Sequence, residues 1–392
     1  MSEWKEIPLG ELATFKTGKL DSNAATENGA YPFFTCSRDT FRTDTYSFDD
    51  EVVLLAGNNA NGVFPLKYFK GKFDAYQRTY VIRPIDTKFL STRYLYYVLR
   101  PQLDHLRSIS TGAATKFLTM GLLNSLSLPV PPLAEQKRIA GILSAYDELI
   151  ENNLRRIKIL EDMAQSLYRE WFVHFRFPGH QDTPLTDSPQ GPIPQGWEVK
   201  KLKDVTSKIG SGATPKGGKD AYKSEGISLI RSLNIFDHEF KHKNLAFIDD
   251  AQAKKLNNVI VEENDVLLNI TGASVARCTM VPPVVLPARV NQHVAIIRAN
   301  QDCDSFYILD GINSDERKRA ILAMAQGGAT REALTKTTLN NLEFVIPPSA
   351  ILQRYSSIRR SLFDEHQTLA HKNQNLRSTR DLLLPKLLTP SS

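Results

Sequence analysis

The chain has 392 residues, with 49 Lys and Arg against 43 Asp and Glu and a formal net charge of +6. Its composition, 41% hydrophobic and 23% charged, is typical of a folded globular protein and excludes disordered, collagen-like and disulfide-scaffold chains. The three cysteines form no Cys-x-x-Cys pair, which excludes a cysteine-rich zinc module. Because no apolar run approaches the roughly 18 residues of a membrane span, we expect a cytoplasmic protein without membrane contact.

The second half of the chain repeats the first. Trp4 and Leu9 match Trp197 and Leu202 near the start of each half. Further matches then follow at a constant offset of 215 positions, which one inserted residue raises to 216: Asp50 with Asp265, Gly57 with Gly272, Gln77 with Gln292, Gly112-x-Ala114-Thr115-Lys116 with Gly327-x-Ala329-Thr330-Arg331, and Pro131-Pro132 with Pro347-Pro348. A collinear series of this length predicts two copies of one structural unit.

Each copy begins with short β-rich runs separated by Gly- and Asn-containing loops. The runs lie at 52–55 and 80–82 in the first copy and at 266–268 and 294–297 in the second. A helical part follows a Pro-Pro pair in both copies, and proline favours the first turn of a helix. Each copy is therefore predicted to be an α/β globule followed by a helix.

The helix after the first globule carries a heptad pattern. Its apolar positions are spaced by three and four residues and include one polar residue, Asn153; they are Ile139, Leu143, Tyr146, Ile150, Asn153, Ile157, Leu160, Ala164, Leu167 and Trp171. A helix over 133–173 would be roughly 60 Å long. The second helix, over 349–383, has a weaker pattern formed by Tyr355, Ile358, Leu362, Leu369, Leu376 and Leu383.

The connectivity predicts how these helices pair. The first helix leaves the first globule and leads to the second, so a second helix packed against it runs back towards the first globule. We therefore predict an α+β protein in which two tandem α/β globules, related by a pseudo-two-fold axis, are separated by two long antiparallel coiled-coil helices. Asn153 either fixes the register of the pair or lies at its solvated edge.

Two similar basic globules held apart are suited to a long polyanion. B-DNA presents the same groove face about every 34–36 Å, so each globule could read one half-site. Because the two copies differ in sequence, the two half-sites are expected to differ. The result would be a non-palindromic, bipartite target.

Several stretches together resemble the specificity (S) subunit of Type I restriction-modification enzymes. They are Pro-Pro-Leu-Ala-Glu-Gln-Lys-Arg-Ile at 131–139, Ser-Leu-Tyr-Arg-Glu-Trp-Phe at 166–172, Ile-Pro-Gln-Gly-Trp-Glu-Val at 193–199 and the two Gly-x-Ala-Thr-Lys/Arg loops. The likeness covers essentially the whole chain. It departs at the second helix, where the usual Pro-Pro-Leu-x-Glu-Gln becomes Pro-Pro-Ser-Ala-Ile-Leu at 347–352.

The resemblance implies a domain plan and a set of partners. The plan is a target-recognition domain at 1–132, a long helix at 133–177, a Pro-rich linker at 178–192, a second target-recognition domain at 193–348, and a second long helix with a C-terminal tail at 349–392. The implied partners are double-stranded DNA, two modification (adenine-N6 methyltransferase) subunits, and restriction subunits in the cleaving complex. This chain would be non-catalytic and hold no cofactor or metal; S-adenosylmethionine, ATP and Mg²⁺ would belong to the partner subunits.

Motifs for catalysis are weak. The Pro-Pro pairs follow Val130, Val281 and Ile346, so none has the Asn or Asp that adenine methyltransferases place there. His238-Glu239-x-x-His242 matches the zinc metallopeptidase motif, but its polar flanks favour a loop or hairpin over a metal-binding helix. A third alternative is a protein-binding scaffold built on the coiled coil.

Polar loops at equivalent places in the two copies are the predicted DNA-reading surfaces. Gln77 and Gln292 fit a structural hydrogen bond and adenine readout equally well, while Lys116 and Arg331 fit phosphate anchors. The DNA-binding candidates are Asn59, Asn61, Lys67, Lys72, Gln77, Arg78, Lys116, Asn269, Thr271, Ser274, Arg277, Asn291, Gln292, His293 and Arg331. The candidates for the core of the helix pair are Leu143, Tyr146, Ile150, Asn153, Ile157, Leu160, Leu167, Leu362, Leu369 and Leu376.

Overall fold

A computed structural model of the chain describes residues 4–60, 62–112, 114–215, 217–326 and 333–389. Helices and sheets are mixed along the chain, which confirms the α+β class. The chain divides into two compact units. Unit 1 comprises Met1–Asn153 and Lys372–Ser392, and unit 2 comprises Leu154–His371.

Unit 1 contains a six-stranded sheet of order β2-β8-β5-β7-β3-β4 and two small pairs, β1-β10 and β6-β9. All neighbours in the large sheet are antiparallel except β3 and β7. In chain order the elements are β1 (Lys5–Pro8), α1 (Leu9–Leu12), β2 (Ala13–Thr17), β3 (Tyr31–Phe34), β4 (Phe41–Thr43), β5 (Phe48–Ala56), β6 (Asn58–Asn59), β7 (Leu66–Ala75), β8 (Thr79–Pro84), α2 (Thr92–Leu99), α3 (Leu103–Ile109), β9 (Lys116–Phe117), α4 (Met120–Asn124), β10 (Ser127–Val130) and the start of α5 (Leu133–Tyr168).

The central strand β5 is apolar at five successive positions because the sheet is covered on both faces. Side chains alternate between the two faces of a strand. Val53 and Leu55 enter the main core with Leu95 of α2, whereas Val52 and Leu54 enter a second, smaller cluster. A continuous apolar run is what a strand buried on both faces requires.

Unit 2 contains two four-stranded sheets of order β14-β21-β18-β19 and β16-β15-β20-β17 and two small pairs, β11-β12 and β13-β22. Its elements follow the part of α5 that belongs to this unit: β11 (Leu185–Thr186), β12 (Ile193–Pro194), β13 (Glu198–Lys201), β14 (Thr206–Ser211), β15 (Ile227–Ile230), β16 (Ala246–Ile248), α6 (Asp250–Lys255), β17 (Ile260–Val261), β18 (Val266–Asn269), β19 (Cys278–Met280), β20 (Ala288–Val290), β21 (Val294–Ala299), α7 (Ser305–Asn313), α8 (Asp315–Gln326), α9 (Lys336–Asn340), β22 (Glu343–Ile346) and α10 (Ser349–Leu387).

The internal hydrogen bonds of the two units repeat at equivalent places. The phenol of Tyr94 on α2 donates to the carbonyl of Pro129 at 2.8 Å, and that of Tyr307 on α7 donates to Val345 at 2.6 Å. Strands β1 and β10 pair as β13 and β22 do. The two copies predicted from the sequence therefore share this strand pair and this tyrosine contact, although unit 1 has one large sheet where unit 2 has two.

The long helices α5 and α10 pair in antiparallel fashion inside each unit. In unit 1, Asp147 pairs with Arg380 and Asn153 with Asn373, so residue numbers rise along one helix as they fall along the other. In unit 2 the same sense appears in the ion pair of Arg156 with Glu365 and the ring contact between Trp171 and Tyr355. Arg169–Val173 forms a π-helical turn directly after α5.

The predicted seam of α5 points inward along its whole length. Among the candidates for the core of the helix pair, Leu143, Ile150, Asn153 and Leu369 are buried, and Tyr146, Ile157, Leu160, Leu167, Leu362 and Leu376 are half-buried. One position predicted for α10 is wrong: Ile358 is exposed, and its neighbour Arg359 is buried. Arg359 turns inward because it binds the buried carboxylate of Asp310, from Nε at 2.7 Å.

Asn153 lies inside the seam rather than at its solvated edge. Its Nδ2 donates to Oδ1 of Asn373 at 2.9 Å, and both side chains are buried. The segment predicted as a Pro-rich linker contains secondary structure: a 3-10 turn at His180–Asp182 and strand β11. Within the described ranges, no helix combines the length and apolarity needed to cross a membrane.

Candidate nucleic-acid interface

In each unit, two strands of a sheet end at a corner where a third segment joins them. In unit 1, β5 and β8 pair up to Ala56 and Thr79; the Gly57 N–H then donates to the Arg78 carbonyl and the Leu118 N–H to the Gly57 carbonyl, both at 2.8 Å. These two hydrogen bonds join three backbone segments: the one that follows β5, the one that precedes β8 and the one that follows β9.

Unit 2 builds the same corner with the same bonds. Strands β18 and β21 pair up to Asn269 and Val294. The Ile270 N–H then donates to the His293 carbonyl at 3.0 Å, and the Leu334 N–H to the Ile270 carbonyl at 2.8 Å. Equivalent backbone groups therefore point in the same way in both corners.

This pairing defines which side chains are equivalent. Strand β8 aligns with β21 at the predicted offset of 215, but β5 aligns with β18 at 213, since Ala56 corresponds to Asn269. The sequence match of Gly57 with Gly272 is therefore wrong by two residues. We define corner 1 as Asn58, Gln77, Arg78 and Phe117, and corner 2 as the equivalent Thr271, Gln292, His293 and Ala333.

In each unit, a glycine that directly follows another strand, β2 or β14, packs closely on the backbone near the corner. A Cβ added to Gly18, just after β2, would lie 1.7 Å from the Ala75 carbonyl oxygen, and one added to Gly212, just after β14, would lie 1.7 Å from that of Val290. Only glycine permits this approach. The chain that follows each glycine is thus held beside Gln77 or Gln292.

Corner 1 presents a cation on an aromatic ring. The Arg78 guanidinium carbon lies 5.8 Å from the centre of the Phe117 ring. The Cys36 thiol donates to Oδ1 of Asn58 at 3.0 Å and so orients that amide. Gln77 and Arg78 are exposed, and Lys116 lies beside this corner on β9.

Corner 2 presents polar side chains connected to one another. The Gln292 amide contacts the Thr214 hydroxyl and, from Nε2, His293 Nε2 at 3.2 Å. His293 Nδ1 lies 2.6 Å from the Thr271 hydroxyl. The two corners therefore share a backbone but differ in charge and in hydrogen-bonding groups.

Two lysine candidates lie on β7 and are not among the residues of corner 1. Lys67 donates to the Asp39 carbonyl at 2.7 Å and is half-buried, and this burial lowers the pKa of its ammonium group. Lys72 lies 4.6 Å from the centre of the Tyr46 ring, and its hydrogen bond with Tyr46 raises its pKa. Because they are five residues apart on one strand, they project from opposite faces.

Some candidates of the second copy serve the interior. Asn269 is fully buried and donates to the Ser232 carbonyl at 2.9 Å, so the prediction that it faces DNA is wrong. Asn291 is also buried, and its Oδ1 accepts from the His293 N–H at 3.1 Å. Both side chains hydrogen-bond inside unit 2, and they are too buried to contact a large ligand.

The remaining candidates are scattered. Ser274 is half-buried in a 3-10 turn next to corner 2, and the Arg277 guanidinium lies 4.6 Å from the centre of the Phe236 ring. Asn59 pairs with Lys116 through the short strands β6 and β9. Asn61 and Arg331 lie outside the described residues.

The metallopeptidase motif forms a tight hairpin, as its polar flanks predicted. Ile235 and Phe240 form an antiparallel bridge, and His238 at the turn has φ of 58°. His238 Nδ1 lies 3.6 Å from Asp310 Oδ1, and burial lowers the pKa of its ring. Within the described ranges, no three His, Cys, Asp or Glu side chains are grouped to hold a metal ion.

Sequence reasoning missed two polar residues of the corners, Thr214 and Cys36. Thr214 is separated from Gln292 by 78 positions and Cys36 from Asn58 by 22. For Thr214 the available signal was Gly212, because a glycine after a strand marks a close backbone approach.

Comparison with known proteins decides the family. The model of the Type I restriction modification DNA specificity domain matches residues 1–161 and 194–377, most of the chain. The chain belongs to this family. Each of the two matched segments contains one corner and most of one long helix.

Individual family members show how far the likeness extends. The specificity subunit of the EcoDI Type I restriction enzyme of Escherichia coli is 40% identical over 43% of this chain and 36% of its own length, so this match spans about a third of that relative. The MjaIX specificity subunit of Methanocaldococcus jannaschii is 27% identical over 76% of this chain and 68% of its own. The crystal structure of a Type I S subunit from M. genitalium has the same fold, with a TM-score of 0.68, 16% identity, and coverage of 99% and 96% of the two chains.

Proposed function

We propose that this chain is the DNA sequence-specificity subunit of a Type I restriction-modification complex and reads a bipartite, asymmetric target in double-stranded DNA. The observation that carries the proposal is the pair of corners. One backbone arrangement, built twice, presents Asn58, Gln77 and Arg78 in unit 1 and Thr271, Gln292 and His293 in unit 2. Two similar scaffolds with different side chains are suited to two different half-sites.

The corner side chains have the chemistry of base readout. A glutamine amide offers a donor and an acceptor to adenine, and an arginine can bind the two acceptor atoms of guanine. Lys116 beside corner 1 suits a phosphate contact, which would set orientation without reading sequence. The net charge of +6 supports binding to a polyanion and predicts an affinity that falls with salt.

The helices have a second role in this proposal. Segments of α5 and α10 would set the number of unread base pairs between the half-sites and dock two modification (adenine-N6 methyltransferase) subunits. Restriction subunits would join the cleaving complex. The chain itself would catalyse no reaction, and S-adenosylmethionine, ATP and Mg²⁺ would be bound by its partners in the cytoplasm.

The test is selection from a library of randomised DNA duplexes with the full chain in complex with its modification subunits. We expect enrichment of two unlike short motifs separated by a fixed number of unspecified base pairs. Replacing both Gln77 and Arg78 of corner 1 with alanine should change one motif and preserve the other. Each lost bidentate contact should reduce discrimination at its base pair by about 1–3 kcal/mol.

A matched control replaces Lys5 and Lys88, two exposed cations of the same half of the chain outside corner 1 and outside the long helices, with alanine. This variant should keep both motifs. Enrichment of one uninterrupted motif, or of none, would rule out the bipartite reading, and methyl transfer by the purified chain alone would rule out a non-catalytic subunit.

A further inference from the structure

Four side chains at corner 2 form a continuous chain of polar contacts. Thr214 contacts Gln292, Gln292 Nε2 lies 3.2 Å from His293 Nε2, and His293 Nδ1 lies 2.6 Å from the Thr271 hydroxyl oxygen. Gln292 and Thr214 are both exposed, so this chain lies at the surface. Contacts at both ends hold the Gln292 amide, whereas an exposed amide without partners would rotate freely in water.

The orientation of the Gln292 amide sets the direction of the hydrogen bonds along this chain of contacts. The Gln292 carbonyl oxygen can only accept, so the Thr214 hydroxyl donates to it. The Gln292 amide nitrogen can only donate, so His293 accepts at Nε2. A neutral imidazole then carries its proton on Nδ1 and donates to Thr271. Within the described residues, one N–H and one carbonyl lone pair of Gln292 have no further partner.

The free donor and acceptor suit one base in particular. Adenine presents the N7 acceptor and the N6 amino donor side by side in the major groove, and a glutamine amide can bind both. Thr214 and His293 contact the oxygen and the nitrogen of the Gln292 amide respectively, and together they hold the amide plane in place.

Corner 1 lacks this support. The equivalent of Thr214, counted from the matching glycines Gly18 and Gly212, is Leu20, and the equivalent of His293 is Arg78. A leucine side chain has no hydroxyl, and a guanidinium cannot accept from an amide. The Gln77 amide makes no hydrogen bond within the part of the chain described.

The segment that carries Thr214 is itself fixed. Gly212 packs so closely on the Val290 carbonyl that no other residue fits there, and its N–H donates to the Asn291 carbonyl at 3.1 Å. Thr214 is therefore held near Gln292 by the backbone. A side chain already fixed in its binding geometry loses less freedom on binding than a mobile one.

We propose that Thr214 and His293 are positioning residues that hold the Gln292 amide for reading an adenine in the half-site of the second specificity domain. This inference rests on the proposed function. It adds the identity of the base and the residues that position Gln292 to read it. Thr271 completes the chain by accepting a hydrogen bond from the Nδ1–H of His293.

The test uses the full chain with its modification subunits in the same duplex selection. Gln292→Ala should lose about tenfold discrimination for adenine at one base pair. Thr214→Val and His293→Phe, which remove one support each, should lose about threefold to fivefold at that same base pair. Thr214→Ser keeps the hydroxyl and should restore discrimination, which a purely steric role of the threonine would not predict.

Thr186→Val is the matched control, since it removes a hydroxyl from an exposed threonine on β11 of unit 2, remote in sequence from Thr214 and from every residue of corner 2. It should leave both motifs unchanged. If Gln292→Ala weakens one position while Thr214→Val and His293→Phe do not, the positioning role is wrong and the proposed function stands. If Gln292→Ala changes no position, or the affected base is not adenine, the inference is overturned. If the unaltered complex enriches no bipartite motif, the proposed function itself fails.

Discussion

His238 is a buried titratable residue with a predictable effect on stability. Its ring faces the carboxylates of Asp310 and Asp237 and the cations of Arg359 and Lys318. Burial lowers its pKa below the usual 6.5; the carboxylate of Asp310 opposes this shift, and the cation of Arg359 adds to it. At pH values between the folded-state pKa of His238 and 6.5, this ring is therefore protonated in the unfolded chain and neutral in the folded chain. Stability should fall as the pH drops below about 6.5, by at most about 1.4 kcal/mol per pH unit.

Urea unfolding between pH 7.5 and 5 measures this effect. His238→Asn should flatten the profile in that range, because asparagine does not titrate and tolerates the left-handed φ of 58° at this position. His174→Asn changes an exposed histidine of the same unit and should leave the profile as it was. An unchanged slope in His238→Asn would contradict the assignment.

At the scale of elements, the Asn153–Asn373 pair should fix how α5 and α10 meet in unit 1. Asn153→Leu leaves the buried Asn373 amide without its side-chain partner, at a cost of about 1–3 kcal/mol. Replacing both asparagines with leucine removes both polar groups and should be neutral or stabilising. Thermal unfolding of the two single variants and the double variant forms a double-mutant cycle that measures the coupling.

The exposed neighbour Asn152 provides the control for this cycle. Asn152→Leu should change stability by no more than about 0.5 kcal/mol. Additive effects of Asn153→Leu and Asn373→Leu would show that the two amides are independent, against the geometry of the seam.

The long helices were largely predictable because heptad periodicity is local in sequence. Both begin where the Pro-Pro pairs predicted, at Leu133 and Ser349. The inward turn of Arg359 in place of Ile358 was not predictable, because it depends on Asp310, 49 positions away. Periodicity places a residue on a helix face, whereas a buried ion pair from a distant element can override it.

At the scale of the whole molecule, the repeat predicted two equivalent sites but not their composition. The match of Gln77 with Gln292 located both corners correctly, since β8 and β21 keep the offset of 215. The partners of those residues escaped prediction because they come from other strands. Thr214 joins Gln292 only through sheet pairing, which a single sequence does not reveal.

The separate cores predict that the two halves of the target can be changed independently. The main core of unit 2 includes Tyr168 and Phe172 before the second globule and Tyr355 after it, all packed on Tyr307 or on one another. Exchanging 154–371 for the equivalent part of another family member should therefore change one motif, keep the other, and preserve the Tm. Exchanging only 190–348 should change the same motif but lower the Tm, because a foreign core then meets the resident aromatic side chains. Duplex selection and thermal unfolding of both chimeras check this, and a change in both motifs after either exchange would show that the two specificity domains do not read DNA separately.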